Sequence, residues 1–403
     1  MSKPDRHDIV IAGGGMAGAS LAVGLARAGF DVAVIEAVAR DADHQPSYDD
    51  RTLVLNRASL NILQRLGILT PSLQRRPIRN IEITRAGGFG HVRLRAAEHS
   101  VDHFGAVAVA RELGNRLLEC LREANRMTEY CPQRLETFYH EQDHVIIRLG
   151  SGRQLQARLL VAADGTGSNV REAAGIVSTL HDYRQSAMIF NVLAQPPSAD
   201  TAFERFTPRG PLALLPQPEG RYGVVWIDAS DAIEQAMAWP DDELLAQLSR
   251  RAPAGFHGFE HAGRRARYPL KLLRTEVPVG QRVVAIGNAA NTVHPVSAQG
   301  FNLGLRDVAG LIEVLDPQSA RVDDPGAPDR LARYLQARRD DQAATVRYTD
   351  TLARVFTNPG ALFRVGAAVG LTAHALLPGL ERQLVASAMG FREPVSRLAR
   401  ESL

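Results

Sequence analysis

Asp8-Ile9-Val10-Ile11-Ala12-Gly13-Gly14-Gly15-Met16-Ala17-Gly18-Ala19 lies near the start of the chain, and Val32-Ala33-Val34-Ile35-Glu36 follows shortly after. Ile9 to Ala12 is a short apolar run of the kind a buried strand requires. Ala19 to Ala28 reads as a small-residue helix with Leu21 and Leu25 on one side, ended by Gly29. Val32 to Ile35 is a second apolar strand that stops at Glu36. Strand, Gly-rich turn, helix and strand make a βαβ unit carrying GxGxxG. Gly13 makes the turn, Gly15 lets the backbone approach a pyrophosphate, and Gly18 lets the helix lie close to the strand. The helix then offers phosphates its unpaired N–H groups and the positive end of its dipole. Glu36 falls about 20 residues past the glycines, where a carboxylate can accept from ribose hydroxyls. A bound dinucleotide is expected; the unit leaves FAD and NAD open.

The rest of the composition narrows the class. With 403 residues, 45% of them apolar and 23% charged, the chain suits a globular protein of two or three domains. Net charge is +3, and Lys3 and Lys271 are the two lysines; arginine supplies the remaining positive charge. The sequence has no Lys/Arg-rich tract and no zinc-finger spacing, so no nucleic-acid partner is expected. Cys120 and Cys131 are too few for a disulfide framework and too isolated for a metal site. No charged stretch followed by an apolar one opens the chain, so a cytoplasmic address is expected. No apolar run reaches the ~18 residues of a membrane span.

Further along, Asn56 to Leu66 reads as a helix and Ile78 to Leu94 as antiparallel strands. Arg111 to Arg122 is again helical, and short strands follow from Thr128 to Arg148. Arg158 to Ala163 is a buried-type strand ending at Asp164-Gly165, and Arg282 to Ile286 is another ending at Gly287-Asn288. Between them, Tyr183 to Arg274 reads as antiparallel strands interrupted by a helix at Asp241 to Arg250. A helix is expected from Phe301 to Leu315, and further helices from Asp329 onward with breaks near Pro359 and Pro378. In an open parallel sheet, ligands bind beyond the carboxyl ends of the strands. Three strands here end in glycine-containing turns, and the third continues as His294-Pro295-Val296-Ser297-Ala298-Gln299-Gly300-Phe301-Asn302-Leu303-Gly304-Leu305-Arg306-Asp307. A polar side chain at that strand end can hold a ribityl hydroxyl. A helix opened by Gly300 can stabilise negative charge on the edge of a reduced flavin ring.

Together, GxGxxG with Glu36, Asp164-Gly165-Thr166-Gly167-Ser168-Asn169-Val170-Arg171 and the run from Gly287 to Asp307 resemble the FAD-dependent aromatic hydroxylases. Asp50-Arg51, the run Phe203-Glu204-Arg205-Phe206-Thr207-Pro208-Arg209-Gly210-Pro211-Leu212-Ala213-Leu214-Leu215-Pro216, His294-Pro295 and the run from Gln299 to Asp307 resemble the ubiquinone-biosynthesis branch, of the 2-octaprenyl-6-methoxyphenol hydroxylase type. The resemblance spans nearly the whole chain. It implies an α/β fold, with a Rossmann-like FAD-binding domain, an inserted antiparallel-sheet substrate domain and C-terminal helices. The corresponding boundaries are 1–77, 105–180 and 275–345 for the FAD-binding domain, 78–104 and 181–274 for the substrate domain, and 346–403 for the helical end.

By the same resemblance, Gly13, Gly15, Ala17, Gly18 and Glu36 bind the ADP half of FAD, and Arg51 and Arg111 reach its pyrophosphate side. Asp164 and Gly165 border both FAD and the path of NAD(P)H. Gly287 and Asn288 sit at the ribityl chain, and Pro295, Gln299, Gly300 and Asn302 line the isoalloxazine. Three positions depart from the broad family pattern: Asn288 replaces Asp, Asn291 replaces His, and Ala298 replaces Gly. A Cβ at Ala298 is expected to narrow the flavin loop or to forbid a positive φ there.

The implied activity is hydroxylation of a hydrophobic phenol with NAD(P)H and O2, through a flavin C4a-hydroperoxide. The cofactor carries the hard chemistry, so a nucleophile–base pair or metal cluster is not expected. The sequence does not name the base that deprotonates the phenol. His294 reads first as structural and second as a proton carrier. Other readings stay open: another ring position, a small soluble phenol, a flavin-dependent reductase, or a non-catalytic FAD-holding scaffold. The apolar stretch from Pro359 to Leu380 has two readings as well. It is a helical cap on the FAD domain, or it docks to the inner membrane surface or to a biosynthetic complex.

Overall fold

The computed structural model describes residues 4–40, 49–87, 91–195, 199–316, 324–357, 385–391 and 395–400. Strand β1 (Asp5–Ala12) leads into helix α1 (Met16–Arg27) and strand β2 (Val32–Ile35). The strand starts at Asp5 rather than Ile9 because Asp5, Arg6 and His7 pair with Leu155, Gln156 and Ala157 of β11 (Gln154–Ala162). β1 lies between β2 and β11, parallel to both. β8 (Met127–Tyr130) extends this first sheet beyond β2, and β19 (Val283–Ala285) extends it beyond β11, again in parallel. β18 (Val279–Gly280), β10 (Val145–Leu149) and β9 (Leu135–His140) add antiparallel edges.

Residues alternate across this sheet as a strand period of two requires. Ile9 and Ile11 face a core shared with Leu21, Leu25, Leu63, Leu117 and Leu305. Val10 and Ala12 face the opposite core, with Val145, Leu160 and Ala162. The first core is filled by α1, α2 (Arg57–Arg65), α3 (Ala110–Glu123) and α7 (Gln299–Leu315). The start of α2 is set by Asn56, whose side chain accepts from the Ser59 N–H at 2.9 Å.

A second sheet has the order β20-β17-β12-β15-β14-β13-β5-β6, and β16 (Phe259–Glu260) pairs with β12. These strands are β5 (Asn80–Arg85), β6 (His91–Arg95), β12 (Ser178–Ala194), β13 (Thr201–Thr207), β14 (Gly210–Pro216), β15 (Arg221–Ala229), β17 (Ala266–Thr275) and β20 (Asn291–Thr292). Neighbours are antiparallel except β13 and β5, which run parallel. That pair joins two stretches far apart in sequence, so the sheet is assembled from both. A small antiparallel sheet of β3 (Thr52–Asn56), β7 (Gly105–Val109) and β4 (Arg75–Ile78) is the third.

The helix expected at Asp241 is present as α6 (Asp241–Arg251), and a short α4 (Asn169–Ala173) follows the Asp164 loop. One more helix, α5 (Ser230–Met237), was not expected; it buries only Ile233 and Ala236, too short a pattern to read from sequence. The late helix begins at Gln299, not Phe301. Helix α8 (Pro328–Thr357) runs 30 residues and packs along α7. The stretch from Pro359 to Leu380 lies outside the described residues. Among the described residues no helix is long and apolar enough to cross a membrane.

A buried ionic cluster joins α7 to α8. Asp307 is fully buried and accepts from Arg338 Nε at 3.0 Å and Gln342 Nε2 at 2.9 Å. Arg338 also meets Asp341 at 2.8 Å, and Asp341 meets Arg306 at 2.8 Å. Gly310 makes room for this: a Cβ there would lie 2.7 Å from Arg338 Cδ. Replacing Arg338 with Met keeps the stem but leaves Asp307 and Asp341 without that partner. Breaking a buried pair by removing one member costs about 3–5 kcal/mol. Arg338→Met should therefore lower unfolding stability by about that amount in urea titration; an unchanged midpoint would show the cluster to be energetically idle.

Candidate functional site

Three strand ends are stitched together by the continuing parallel ladder. Gly13 N–H donates to Ile35 O at 2.8 Å, Ala163 N–H to Ala12 O at 2.8 Å, and Ile286 N–H to Ala162 O at 3.0 Å. The turns that follow, at Gly13, Asp164 and Gly287, therefore open on one edge of the sheet. A cavity of about 910 Å³ lies there and extends to the second sheet. Its volume falls in the range of small-molecule and cofactor sites.

The Gly-rich turn is as close-fitting as its pattern implies. Gly13 has φ +105°, and a Cβ on it would lie 2.4 Å from Ala163 O. A Cβ on Gly18 would lie 2.0 Å from Gly13 O, so this glycine serves the packing of α1 and stands behind the cavity wall. Gly15 and Ala17 line the cavity, and Gly15 has φ −67° and ψ 179°, a conformation open to any residue. The backbone there does not require glycine, but Gly15 lies on the cavity wall, where a side chain would face the site. Glu36 lines the same end and accepts from the N–H groups of Gly14 and Val38, each at 2.8 Å. Arg40, not singled out from sequence, also lines this end and pairs with Glu129.

Arg51 reaches the cavity, held near Asp49 and 5.7 Å from the centre of the Tyr268 ring. Tyr268 donates to Asp49; burial, followed by that bond, pushes its hydroxyl up to about 12. Asp164 and Gly165 line the cavity too, and the buried Arg171 ties their loop to the third strand end. Its Nη1 donates to Thr166 O at 3.0 Å and to Ala289 O at 3.1 Å. Thr166 and Thr292 hydroxyls meet at 2.8 Å across the same gap. Gly287, Asn288, Pro295, Gln299 and Gly300 complete this part of the wall.

Besides Gly18, two more expected residues are placed elsewhere. Arg111 is off the cavity wall, exposed, and paired with Asp50. Asn302 is 1% exposed and also off the wall. Its Oδ1 accepts from Asn56 N–H at 3.0 Å, and its Nδ2 donates to Val54 O at 2.8 Å and Ala298 O at 2.7 Å. With its side chain committed to backbone partners, Asn302 holds the loop from behind instead of touching a ligand. His294 is fully buried and off the wall, and burial pushes its imidazole down to about 4. That environment favours the neutral ring and the structural reading. Ala298 does adopt a positive φ, +49°, next to Ser297 at +59°. Its Cβ therefore does not forbid that backbone.

Helix ends distinguish the ligand-facing elements. Among the described α-helices with a resolved N-cap, α1 and α7 alone have neither a side-chain cap nor an acidic residue in the first turn. Both begin on the cavity. Their first N–H groups and positive dipole ends are left for an anion or an electron-rich ring edge. These features fit FAD: a glycine cradle a side chain would fill, a carboxylate at the ribose position, and two bare helix N-termini about one cavity. Beyond them the wall turns apolar, with Ile81, Ile83, Leu94, Ala213, Leu215 and Val225 from the second sheet.

A dinucleotide cradle opening directly on to an apolar chamber is the arrangement of a flavin-dependent oxidoreductase, in which cofactor and organic substrate share one enclosure. The chain belongs to the FAD-binding domain family, which matches residues 6–349, and is an FAD-dependent monooxygenase of the aromatic-hydroxylase type. It is 33% identical to ubiquinone hydroxylase UbiL of Rhodospirillum rubrum over 95% of this chain and 89% of that one. It is 31% identical to the 3-demethoxyubiquinol 3-hydroxylase of Escherichia coli over 95% and 98% of the two chains. In fold it is similar to p-nitrophenol 4-monooxygenase PnpA from Pseudomonas putida, with a TM-score of 0.76 at 17% identity, covering 96% of this chain and 100% of that one.

Gly15→Val should fold with a wild-type thermal midpoint yet purify without flavin colour, because Gly15 lines the cavity and its extended backbone accepts any residue. Wild-type flavin content in this variant, measured by visible absorbance, would place the cofactor elsewhere.

Proposed function

We propose that this enzyme hydroxylates the aromatic ring of a polyprenyl phenol in ubiquinone biosynthesis, with NAD(P)H as reductant and O2 as oxygen donor. The observation that carries this is the continuity of one cavity from the Gly13–Ala17 cradle to the apolar face of the second sheet. Relatives named as ubiquinone hydroxylases support the substrate class. Bound FAD supplies the redox chemistry, activating O2 for insertion into an electron-rich ring.

The chain's own residues bind, orient and exclude water. The α1 N-terminus and the Gly13–Ala17 turn hold the pyrophosphate, with Arg51 adding positive charge. Glu36 would accept from the ribose hydroxyls, and the Asn288 amide would donate to or accept from the ribityl hydroxyls. Pro295, Gln299 and Gly300 form the wall at the ring, where the α7 N-terminus favours negative charge. Gly165 and Asp164 border the nicotinamide path. The apolar sheet face holds the ring dry, which strengthens every polar interaction within reach.

Purified enzyme should bleach with NAD(P)H under nitrogen. In air it should convert a short-chain prenyl phenol to a catechol-type product with matching O2 uptake. Bleaching without hydroxylated product would point to a reductase, and no bleaching to a scaffold.

A polyprenyl phenol partitions into bilayers, so this reading includes contact with the inner membrane surface. Leu362, Phe363, Val365, Val369 and Leu371, with Arg364 and Arg382 nearby, are the sequence suited to it. Replacing Phe363 and Leu371 together with Ser should abolish co-sedimentation with anionic liposomes at low salt and leave the thermal midpoint unchanged. A fall in the midpoint would assign the segment to the protein interior.

A further inference from the structure

The second sheet presents to the cavity a face that is apolar across its central strands, with one exception. Ala187, Ile189, Ala202, Pro211, Ala213, Leu215, Val225, Ile227, Ile81 and Ile83 all line it; Glu204 of β13 stands among them. The pairing register makes the contrast sharp. Glu204 lies opposite Ala213 of β14 on one side and Ile83 of β5 on the other. The next positions along the same row are Val225 and Ile189, then Val92. A lone carboxyl in such a row is costly unless something uses it.

The Ser297 backbone N–H is the nearby group that favours the charged form of the Glu204 carboxyl. Ser297 belongs to the loop between Pro295 and Gln299, which lines the same cavity and is the loop proposed above to wall the flavin ring. Glu204 thus stands where the apolar chamber meets the loop beside the ring. His294, the other candidate proton carrier in this loop, is off the cavity wall.

We infer that Glu204 is the catalytic residue that accepts the hydroxyl proton of a phenol bound in this cavity. In that step the phenol O–H bond breaks, the proton passes to a carboxylate oxygen of Glu204, and the electron pair stays on the phenol oxygen. The added density makes the ring carbons ortho and para to that oxygen more nucleophilic. No oxidant enters the step. Burial pushes the Glu204 carboxyl up to about 7, opposed by the Ser297 N–H. A base of that strength is ionised above neutrality and matched to proton transfer near it.

The groups packed around Glu204 do not supply an obvious substitute. β5 and β14 face it with Ile83 and Ala213. Its neighbour Phe203 is in the core behind the sheet, and Arg205 donates to Ala252 O at 2.8 Å. Helix α8, which packs on β13 and β14, contributes Tyr348 to the cavity wall. Among the described residues, the remaining titratable wall groups are Glu36, Arg40, Arg51, Arg134, Asp164, Tyr268 and Lys271, none of them on the strands that flank Glu204.

The assignment rests on the aromatic-hydroxylase reading. A binding measurement without NAD(P)H separates the two, since no turnover is involved. The probe is 4-hexylphenol, which stays neutral through the range used, with hexylbenzene as the control lacking a hydroxyl. Binding is read from the flavin spectrum of the FAD-loaded enzyme. A carboxylate accepts a phenol O–H more strongly than a protonated carboxyl does. Wild type should bind 4-hexylphenol about tenfold more tightly at pH 8 than at pH 6, as the ionised fraction rises through neutrality. Hexylbenzene should show no such change.

Glu204→Gln keeps an acceptor for the Ser297 N–H but does not titrate. It should abolish the pH dependence, lower kcat more than it raises KM, and keep flavin content. The same pH dependence in Glu204→Gln, or equal pH profiles for the two probes in wild type, would overturn the assignment. If the variant lost its flavin, the wild-type comparison of the two probes would still decide.

Discussion

Asp307 is the junction on which the site's third wall depends. One carboxylate oxygen accepts the Gly287 N–H at 3.1 Å; the other receives Arg338 and Gln342 from α8. Gly287 has φ +56°, and a Cβ there would lie 3.2 Å from the Ala17 Cβ. The third strand end is thereby pressed against the start of α1. A single buried anion fixes the turn after β19, sets the depth of α7, and docks α8. It is tolerable in a dry interior only because Arg338 and Gln342 share its charge and Arg306 and Asp341 complete the set. Charge is used here for registration, since an apolar contact would allow α7 to slide along the sheet.

The registration matters because α7 carries an uncapped N-terminus to the cavity. An acidic residue or a Ser, Thr, Asp or Asn cap would improve that helix in isolation. The chain forgoes both at α1 and α7, while Asn56 caps α2 and Ser168 caps α4. The unsatisfied N–H groups are therefore kept for a ligand. Stability that a cap would give locally is recovered through packing and through Asp307, further down the helix. Local propensity and function disagree at these two helix ends, and the disagreement marks the site.

Much of this was legible in the residues. The βαβ unit announced itself because Gly13, Gly18 and the flanking apolar runs combine local conformation with periodicity. The Asp164 and Gly287 turns were readable for the same reason: each is a glycine turn at the end of an apolar strand. What escaped depended on distant partners. Asn302 has the residue type of a ligand contact, but its position relative to Val54, Asn56 and Ala298 is a property of the fold. Arg111 was assigned to the pyrophosphate side by resemblance, and only the structure shows it paired with Asp50. Glu204 falls inside the stretch that carries the branch resemblance, but nothing in that stretch marks it as the lone carboxyl of an apolar row. Its apolar row comes from five other strands, β5, β6, β12, β14 and β15, so no local window contains the signal.

The loop from Pro295 to Gln299 shows how these constraints converge. Two consecutive non-glycine residues, Ser297 and Ala298, take left-handed conformations, each disfavoured for a residue with a Cβ. Such strain persists only where surroundings over-determine it. Asn302, anchored on β3, draws the Ala298 carbonyl backward, while the Ser297 backbone lies beside the Glu204 carboxyl of the chamber and favours its charged form. The same backbone twist thus satisfies the helix start behind it and aims a donor at the carboxyl in front. A glycine at Ala298 would relax the twist, but it would also widen the conformations open to the Ser297 N–H. The departure from the glycine pattern is then a consistent choice: a Cβ that costs some strain restricts a loop whose direction joins the cofactor wall to the one polar group of the chamber's central strands.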